Sequence, residues 1–589
     1  MSRKSGGQLV GEILAQRGVT SVFTLCGGHT APILKGAKDQ DIRVVDVRDE
    51  RSAVFAADAV ARMTGIPGVA VVTAGPGVTN AVTAVENAKL AESPVVVFGG
   101  AAATLLKGRG ALQDIDQLSI MKPITKWATT VKTISQLEAV TARALEVASA
   151  GVPGPVFVEV PVDILYPEHV VREWYFKESG VENPRGLGQR ALKLALQGHL
   201  LKQSRAPRVR DALPRPSPIA RDGGYGAGAS FATNVQRTAA LVRRAERPVL
   251  VVGSQALAAR RDADEIAEAV ASLGVPTFLA GTARGLLGKR SDIQFRHGRS
   301  KALKEADVVV VAGFPFDFRL GYGRAIGKQA TVIAANLSDR ALTQNRRPEI
   351  AVLGHPGRFL RDLSAETRSP DGARWSSWFE TLRDRERARD DEIAQKAKPG
   401  GELVDPIALL RAMEDVIDDD ATLIVDGGDF VATASYILRP RGPLSWLDPG
   451  AFGTLGVGGG FAVGAAVARP GREIWLLYGD GSCAYSLAEI DTCVRHGLAP
   501  IAVIGNDASW AQIAREQVEV LGDDVGTVLA RTAYHRVAEG YGGAGLLLDD
   551  PAKTGEVLGE AKRRAKAGTP VVIDARIAAT DFRKGSISI

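Results

Sequence analysis

Two oxygen-bearing side chains stand at the ends of neighbouring apolar runs. Asp480 closes "EIWLLYGDG" between two glycines, and Asn506, 26 positions later, closes "APIAVIGN". Between them, "YSLAEIDTCVRHG" has apolar residues at helical spacing and stops on glycine. The segment reads as a strand–helix–strand unit with both polar residues at strand carboxyl ends, where open α/β sheets bind ligands. One charged and one neutral oxygen suit a hard cation such as Mg2+. The glycines beside Asp480 let backbone N–H groups approach an anion. The chemistry is that of a Mg2+-bound phosphate.

A second candidate is Glu50 in "RVVDVRDERSAVFAADAVARMTG", after a strand and at the start of a helix. A carboxylate there is ordinarily a surface group stabilised by the helix dipole. The residues that follow are small and apolar, so this helix is expected to be buried. A buried carboxyl titrates higher and can trade a proton near neutrality. "TAGPGVTN" (73–80) is a glycine turn between strand and helix. In "DPGAFGTLGVGGGFAVGAA", five glycines within eight residues surround Leu455. Such backbone can lie flat against a ligand with one apolar side chain projecting from it; tight helix–sheet packing would use the same glycines.

These residues need strands and helices to position them, and the chain supplies both in alternation. "VTSVFTLCGG", "IRVVDVRDE", "GVAVVTAGPG", "SPVVVFGG" and "GPVFVEVPVD" are strand-like runs separated by helical patterns, which predicts a parallel α/β sheet. The rhythm breaks in a Pro-, Gly- and Arg-rich stretch and resumes at "RPVLVVGSQAL". It breaks again at the charged "WSSWFETLRDRERARDDEIAQKA" and returns at "ATLIVDGGDF". Three doubly wound α/β domains are expected: 1–177, a linker 178–232, 233–368, a linker helix 369–402, and 403–589. Within the first linker, Leu192, Ala195, Leu196, His199 and Leu200 form a short apolar stripe. A helix packed on its own protein or one lying on a membrane surface would both produce it.

The 589 residues exceed one core, and 45% hydrophobic with 24% charged residues is a soluble globular balance. A net charge of +6 is small for this length and does not point to nucleic acid. Cys26, Cys483 and Cys493 have neither metal spacing nor a disulfide framework, which fits a reducing compartment. No apolar run is long enough to span a membrane and the N-terminus has no signal-peptide core, so a cytoplasmic protein is expected.

Taken together, these segments resemble the thiamine-diphosphate (ThDP) enzymes of the acetolactate synthase superfamily over almost the whole chain. The resemblance implies a pyrimidine-binding first domain, a central Rossmann-like domain and a diphosphate-binding third domain. It implies that Asp480, Asn506 and the carbonyl of Ala508 hold Mg2+, and that Gly428, Asp429, Gly481 and Ser482 line the cofactor site. Glu50 of Arg48-Asp49-Glu50 would meet the aminopyrimidine, Leu455 would bend the cofactor, and the Gly453 carbonyl would receive its amino group. Many relatives carry His where this chain has Asp49. The superfamily builds its active sites between subunits, which implies a homodimer or homotetramer.

Within the superfamily, "GGH" (27–29), "RGALQDID" (109–116), "VDGGDFV", "DPGAFGTLGVG", "REQV" and the ending "TDFRKGSI" look like the 2-hydroxyacyl-CoA lyase 2 type. Where synthases place the Trp of their acceptor channel, this chain has Arg515. The implied reaction cleaves a 2-hydroxyacyl-CoA to formyl-CoA and a shortened aldehyde, with His29 and Gln113 as catalytic candidates beside Glu50. A 2-oxoacid carboligase of the acetolactate synthase type is the alternative. In the central domain "VVGSQAL" has one glycine rather than a dinucleotide fingerprint. Arg284, Arg319 and Arg324 stand at loop positions suited to phosphate. Its ligand stays open between FAD, an adenine nucleotide, CoA and none. The tail 580–589, with Arg583 and Lys584, could close over a polyanionic substrate or fray.

Overall fold

The computed structural model describes residues 4–204, 229–367, 372–398 and 400–583. The chain divides into two compact units, one of residues 1–61 and 66–219, the other of residues 62–65 and 220–589. In the first, the apolar runs become β1 (Ser21–Leu25), β2 (Arg43–Asp46), β3 (Gly68–Val72), β4 (Val95–Ala101), β5 (Trp127–Thr130) and β6 (Val156–Pro161). They form an all-parallel sheet in the order 2-1-3-4-6-5. β3, β4 and β6 are buried along their whole length, as continuous apolar strands covered by helices on both faces must be.

The second unit holds two further six-stranded parallel sheets. One consists of β7 (Pro248–Val252), β8 (Thr277–Leu279), β9 (Gln294–Phe295), β10 (Val308–Ala312), β11 (Thr331–Asn336) and β12 (Ile350–Leu353). Its order, 12-11-10-7-8-9, is the dinucleotide-fold order 3-2-1-4-5-6 read from the other edge. The other consists of β13 (Thr422–Val425), β14 (Trp446–Leu447), β15 (Ile474–Gly479), β16 (Ile501–Asn506), β17 (Ala544–Leu548) and β18 (Val571–Arg576). Its order, 14-13-15-16-18-17, repeats the plan of the first sheet strand for strand. Three doubly wound parallel sheets are what the alternating pattern predicts.

The helix Ser376–Lys396 explains why two sheets make one unit. Despite its charge it buries Phe379 in the core of the middle sheet and Ile393 in that of the last. It is a strut between them rather than a free linker.

The stretch 178–232, read above as a linker, is in part helical. Leu187–Ser204 is a helix whose Leu196 and Leu200 pack on Val171, Tyr175 and Val181. A polar cluster pins it: Gln203 Nε2 donates to Asp163 Oδ2 at 2.7 Å, and His199 Nε2 lies 3.1 Å from Thr104 Oγ1. Thr104 and Tyr175 hydroxyls donate to the same Asp163 carboxylate. Periodicity shows the stripe, but only these distant partners decide what it docks on. Leu187, Leu194 and Leu201 remain exposed on the outer face. No helix among the described residues is long and apolar enough to cross a membrane. The Pro- and Arg-rich part of that stretch and Lys584 lie outside the described residues.

Candidate active site

In the last sheet the chain winds outward from β13 to β14 and returns to β15, so the switch point lies between the carboxyl ends of β13 and β15. β13 runs into Asp426-Gly427-Gly428-Asp429 and β15 into Asp480-Gly481-Ser482, with Asn506 closing β16 next door. These turns and the Gly453–Leu455 loop line a cavity of about 500 Å3. A Cβ on Gly427 would lie 2.2 Å from Leu455 Cδ2, and one on Gly481 would lie 2.5 Å from the Trp510 ring. Glycine is therefore what lets Leu455 lean over one turn and an indole cover the other. Ser482 Oγ ties the two turns together, donating to the Gly427 carbonyl at 3.0 Å.

The donor set fits a hard cation. Asn506 is fully buried and its Oδ1 has no hydrogen-bond partner. The Asp480 carboxylate accepts from Gly481 N–H at 2.8 Å and Ser509 N–H at 3.2 Å, and burial pushes its pKa up. Burial, then the charges of Asp480 and Asp429, push Asp507 up to about 7. Two desolvated carboxylates, Asp480 and Asp507, with an orphaned amide oxygen suit a cation. Ala508 has φ +59°, and its carbonyl receives Leu529 N–H at 2.8 Å, which leaves one lone pair.

Asp429 opens the helix Asp429–Ile437, and its carboxylate faces cations. Arg515 Nη2 lies 2.5 Å and Arg583 Nη1 3.5 Å from Oδ1. Arg515 also donates to the Arg583 carbonyl at 3.2 Å. Phe582 is buried against Tyr436, Arg389 and Lys396. The tail is thus packed down as far as residue 583.

In the first unit the switch point lies between β1 and β3, and Gly27-Gly28-His29 and Thr73-Ala74-Gly75 follow those strands. His29 Nδ1 is 3.3 Å from Thr73 Oγ1, Tyr166 OH donates to the Gly28 carbonyl at 2.8 Å, and burial lowers the His29 pKa. Glu50, 6% exposed, accepts at Oε2 from Asn80 Nδ2 at 3.1 Å. The end of "TAGPGVTN" therefore orients the carboxylate. Asp49 anchors the local turn. Burial opposes its ionisation, but the hydrogen bonds and charge of Arg51 outweigh that and hold its pKa below the ordinary value. Gln113 has φ +62°, with its backbone against Gly75.

Sequence reasoning missed Gln117, which is buried. Its Oε1 accepts from Gly75 N–H at 2.8 Å, while Nε2 donates to Gly100 O and to Glu159 Oε1, each at 3.0 Å. Glu159, fully buried on β6, also pairs with Lys107 and accepts from Thr130 Oγ1 at 2.6 Å.

Beside the middle sheet lies a cavity of about 840 Å3 over the ends of β8 and β9. The switch point itself is closed, because a Cβ on Gly253 would lie 2.3 Å from the Gly313 carbonyl oxygen. Of the three loop arginines singled out in the sequence, Arg284 and Arg319 line the cavity and Arg324 does not. Arg319 pairs with Asp317 at 2.5 Å. Arg284, stacked 4.5 Å over Trp446, donates to Ser435 O; Arg296 donates to Tyr436 O and Arg299 to Arg319 O. Burial lowers all three pKa values, joined by neighbouring arginines at Arg299 and at Arg296, which falls to about 10. Arg296 and Arg299 come from one loop whose sequence carries no phosphate motif.

Three family profiles cover most of the chain, all described as thiamine pyrophosphate enzyme. The N-terminal TPP binding domain matches residues 4–120, the central domain 235–363 and the C-terminal TPP binding domain 426–575. The chain belongs to the thiamine pyrophosphate enzymes. It is a ThDP-dependent carbon–carbon lyase. It is 46% identical to "2-hydroxyacyl-CoA lyase 2" of Danio rerio, over all of this chain and 94% of that protein. Against the Homo sapiens protein of the same name the identity is 44%, over 100% and 92%. A "Probable acetolactate synthase" of Mycobacterium bovis is 32% identical over 96% of this chain and 95% of its own.

Proposed function

We propose that this enzyme, with ThDP and Mg2+, cleaves the C1–C2 bond of a 2-hydroxyacyl-CoA to formyl-CoA and an aldehyde one carbon shorter, reversibly. The observation that carries this over the synthase reading is Arg515. At the place where the resemblance puts the synthases' channel Trp it is locked to Asp429 and to the tail, which supports a different acceptor site. The higher identity to relatives named 2-hydroxyacyl-CoA lyase 2 supports the same choice. The arginine-lined central cavity suits a polyanion of the FAD, adenine nucleotide or CoA kind.

When bound, ThDP supplies a thiazolium that acts as the electron sink for carbon–carbon cleavage. Asp480, Asn506 and the Ala508 carbonyl would hold the cation that neutralises its diphosphate. Leu455, leaning over Gly427, shapes the floor of the cofactor pocket. Glu50, oriented by Asn80, holds a proton at N1′ of the pyrimidine. His29, kept neutral by burial, accepts the proton of the 2-hydroxyl, which is returned at the carbon that becomes the formyl group. Gln113 is placed to bind the substrate carbonyl. The working form is a cytoplasmic homodimer or homotetramer with active sites at the subunit interface.

The test offers purified protein, ThDP and Mg2+ separately with pyruvate and with a 2-hydroxyacyl-CoA. Formyl-CoA and aldehyde are expected from the second. Acetolactate and CO2 from pyruvate at a higher rate would replace the lyase with a synthase-type carboligase.

A further inference from the structure

Asn506 can help hold a cation only if its amide presents oxygen. Both amide hydrogens are already committed: Nδ2 donates to Asp574 Oδ1 at 2.9 Å and to the Thr532 carbonyl at 3.1 Å. The Thr532 carbonyl can only accept, so the NH2 end has to face it and Oδ1 is turned the other way, where it has no partner. Asp574 is fully buried on β18, paired in register with Ile504, so it is the diagonal same-face neighbour of Asn506. Its second oxygen, Oδ2, lies 2.9 Å from His535 Nδ1. With both oxygens engaged, the carboxylate cannot swing away from the amide. The segment that contributes Thr532 and His535 also contributes Tyr534, whose hydroxyl donates to the Asp480 carbonyl at 3.0 Å. One short stretch thus braces the ends of both strands that carry side-chain ligands.

We propose that Asp574 and His535 are positioning residues that fix the Asn506 amide with its oxygen toward the cation. The inference rests on the reading that Asp480 and Asn506 hold Mg2+. Without an acceptor at 574, only the Thr532 carbonyl still holds the NH2 end, so the amide reverses more readily and can present that end, which repels a cation. Partners that orient metal ligands in this way affect affinity nearly as much as the ligands themselves.

The test measures ThDP binding by calorimetry at stepped Mg2+ concentrations, in the full-length protein. Asp574→Leu removes the acceptor and should raise the half-saturating Mg2+ by about 10–100-fold, with ThDP affinity at saturating Mg2+ nearly kept. Asp574→Asn should restore the wild-type response to within about threefold, because its oxygen can accept from Asn506 while its NH2 faces His535 in the other tautomer. His535→Phe, nearer the surface, should shift the Mg2+ response in the same direction and carries the test if the leucine variant fails to fold. A Mg2+ response that is unchanged in both the leucine and phenylalanine variants overturns the inference. So does an asparagine variant as impaired as the leucine one, since charge rather than orientation would then matter. Wild-type ThDP binding that is indifferent to Mg2+ would instead remove the cation reading beneath it.

Discussion

Asp426→Asn is expected to separate stability from cofactor binding. The Asp426 carboxyl is 2% exposed and accepts from Gly456 and Gly458 N–H at 2.9 and 2.7 Å, holding the turn that carries Leu455. Burial nonetheless pushes its pKa up to about 7. In the unfolded chain the group titrates near 3.9. The folded value is the higher one, so its contribution to stability is fully present below about pH 4. It is lost as pH rises to about 7, because the unfolded chain gives up the proton first. Three units at about 1.4 kcal/mol each make about 4 kcal/mol, with about 2 kcal/mol of it between pH 5 and 7. Asparagine matches the neutral acid in shape and does not titrate. The variant and the wild type should therefore melt close together near pH 5, with the variant several degrees higher near pH 7.5. ThDP affinity should move the opposite way, because an amide can accept one of the two N–H groups but not both; a loss of about 1 kcal/mol weakens binding roughly fivefold. Thermal melting of the cofactor-free protein from pH 5 to 8, with calorimetry near pH 7.5, reads both. Melting curves whose separation does not change with pH would refute the burial argument.

Glu50→Gln keeps the hydrogen bond from Asn80 but cannot share a proton, so deuterium uptake at ThDP C2 should slow by about 10²–10⁴-fold while the cofactor still binds. Asp480→Ala should weaken ThDP binding greatly by removing the charged group of the proposed cation site, and calorimetry with and without Mg2+ would show it. Phe582→Ala should release the tail at a cost of about 3–5 kcal/mol of local packing, seen as faster proteolysis at Arg583 and as a higher KM for the proposed 2-hydroxyacyl-CoA substrate.

What the sequence makes legible is local. The Asp480–Asn506 pair, Glu50 at a buried helix start and the glycines around Leu455 each announce themselves within one strand–turn–helix. Alternating period and glycine-rich strand exits are therefore enough to locate them, and enough for three parallel sheets. The supporting residues are not legible in this way. Gln117 sits in a polar stretch that gives no hint of its burial between Gly75, Gly100 and Glu159. Asp574 lies 68 positions beyond Asn506, inside an ordinary apolar strand. Arg296 and Arg299 come to line one cavity with Arg284 only when β8 and β9 bring their loop beside it. Each acquires its role from a partner distant in sequence, which periodicity does not encode. The helix Leu187–Ser204 is the intermediate case: its stripe is visible, but its anchor, Asp163, is not.

The repeated strand order has a practical side. The turns after β13 and β15 carry Asp426 and Asp480, and those after β1 and β3, at the same topological addresses, carry His29 and Thr73. Evolution or a protein engineer therefore meets two unequal workspaces built on one template. The acidic copy is held by glycine clearances and, on the proposed function, meets the cofactor's charge, so exchanges there are expected to weaken cofactor binding. The imidazole-and-hydroxyl copy has its own glycine clearance, since a Cβ on Gly27 would lie 2.3 Å from the Thr73 Cβ. A mutant library there has to spare His29, the proposed proton acceptor, and Gly75, whose φ is +62°; Gly28, with open space beside it, is the position to vary without touching the proposed cofactor cradle.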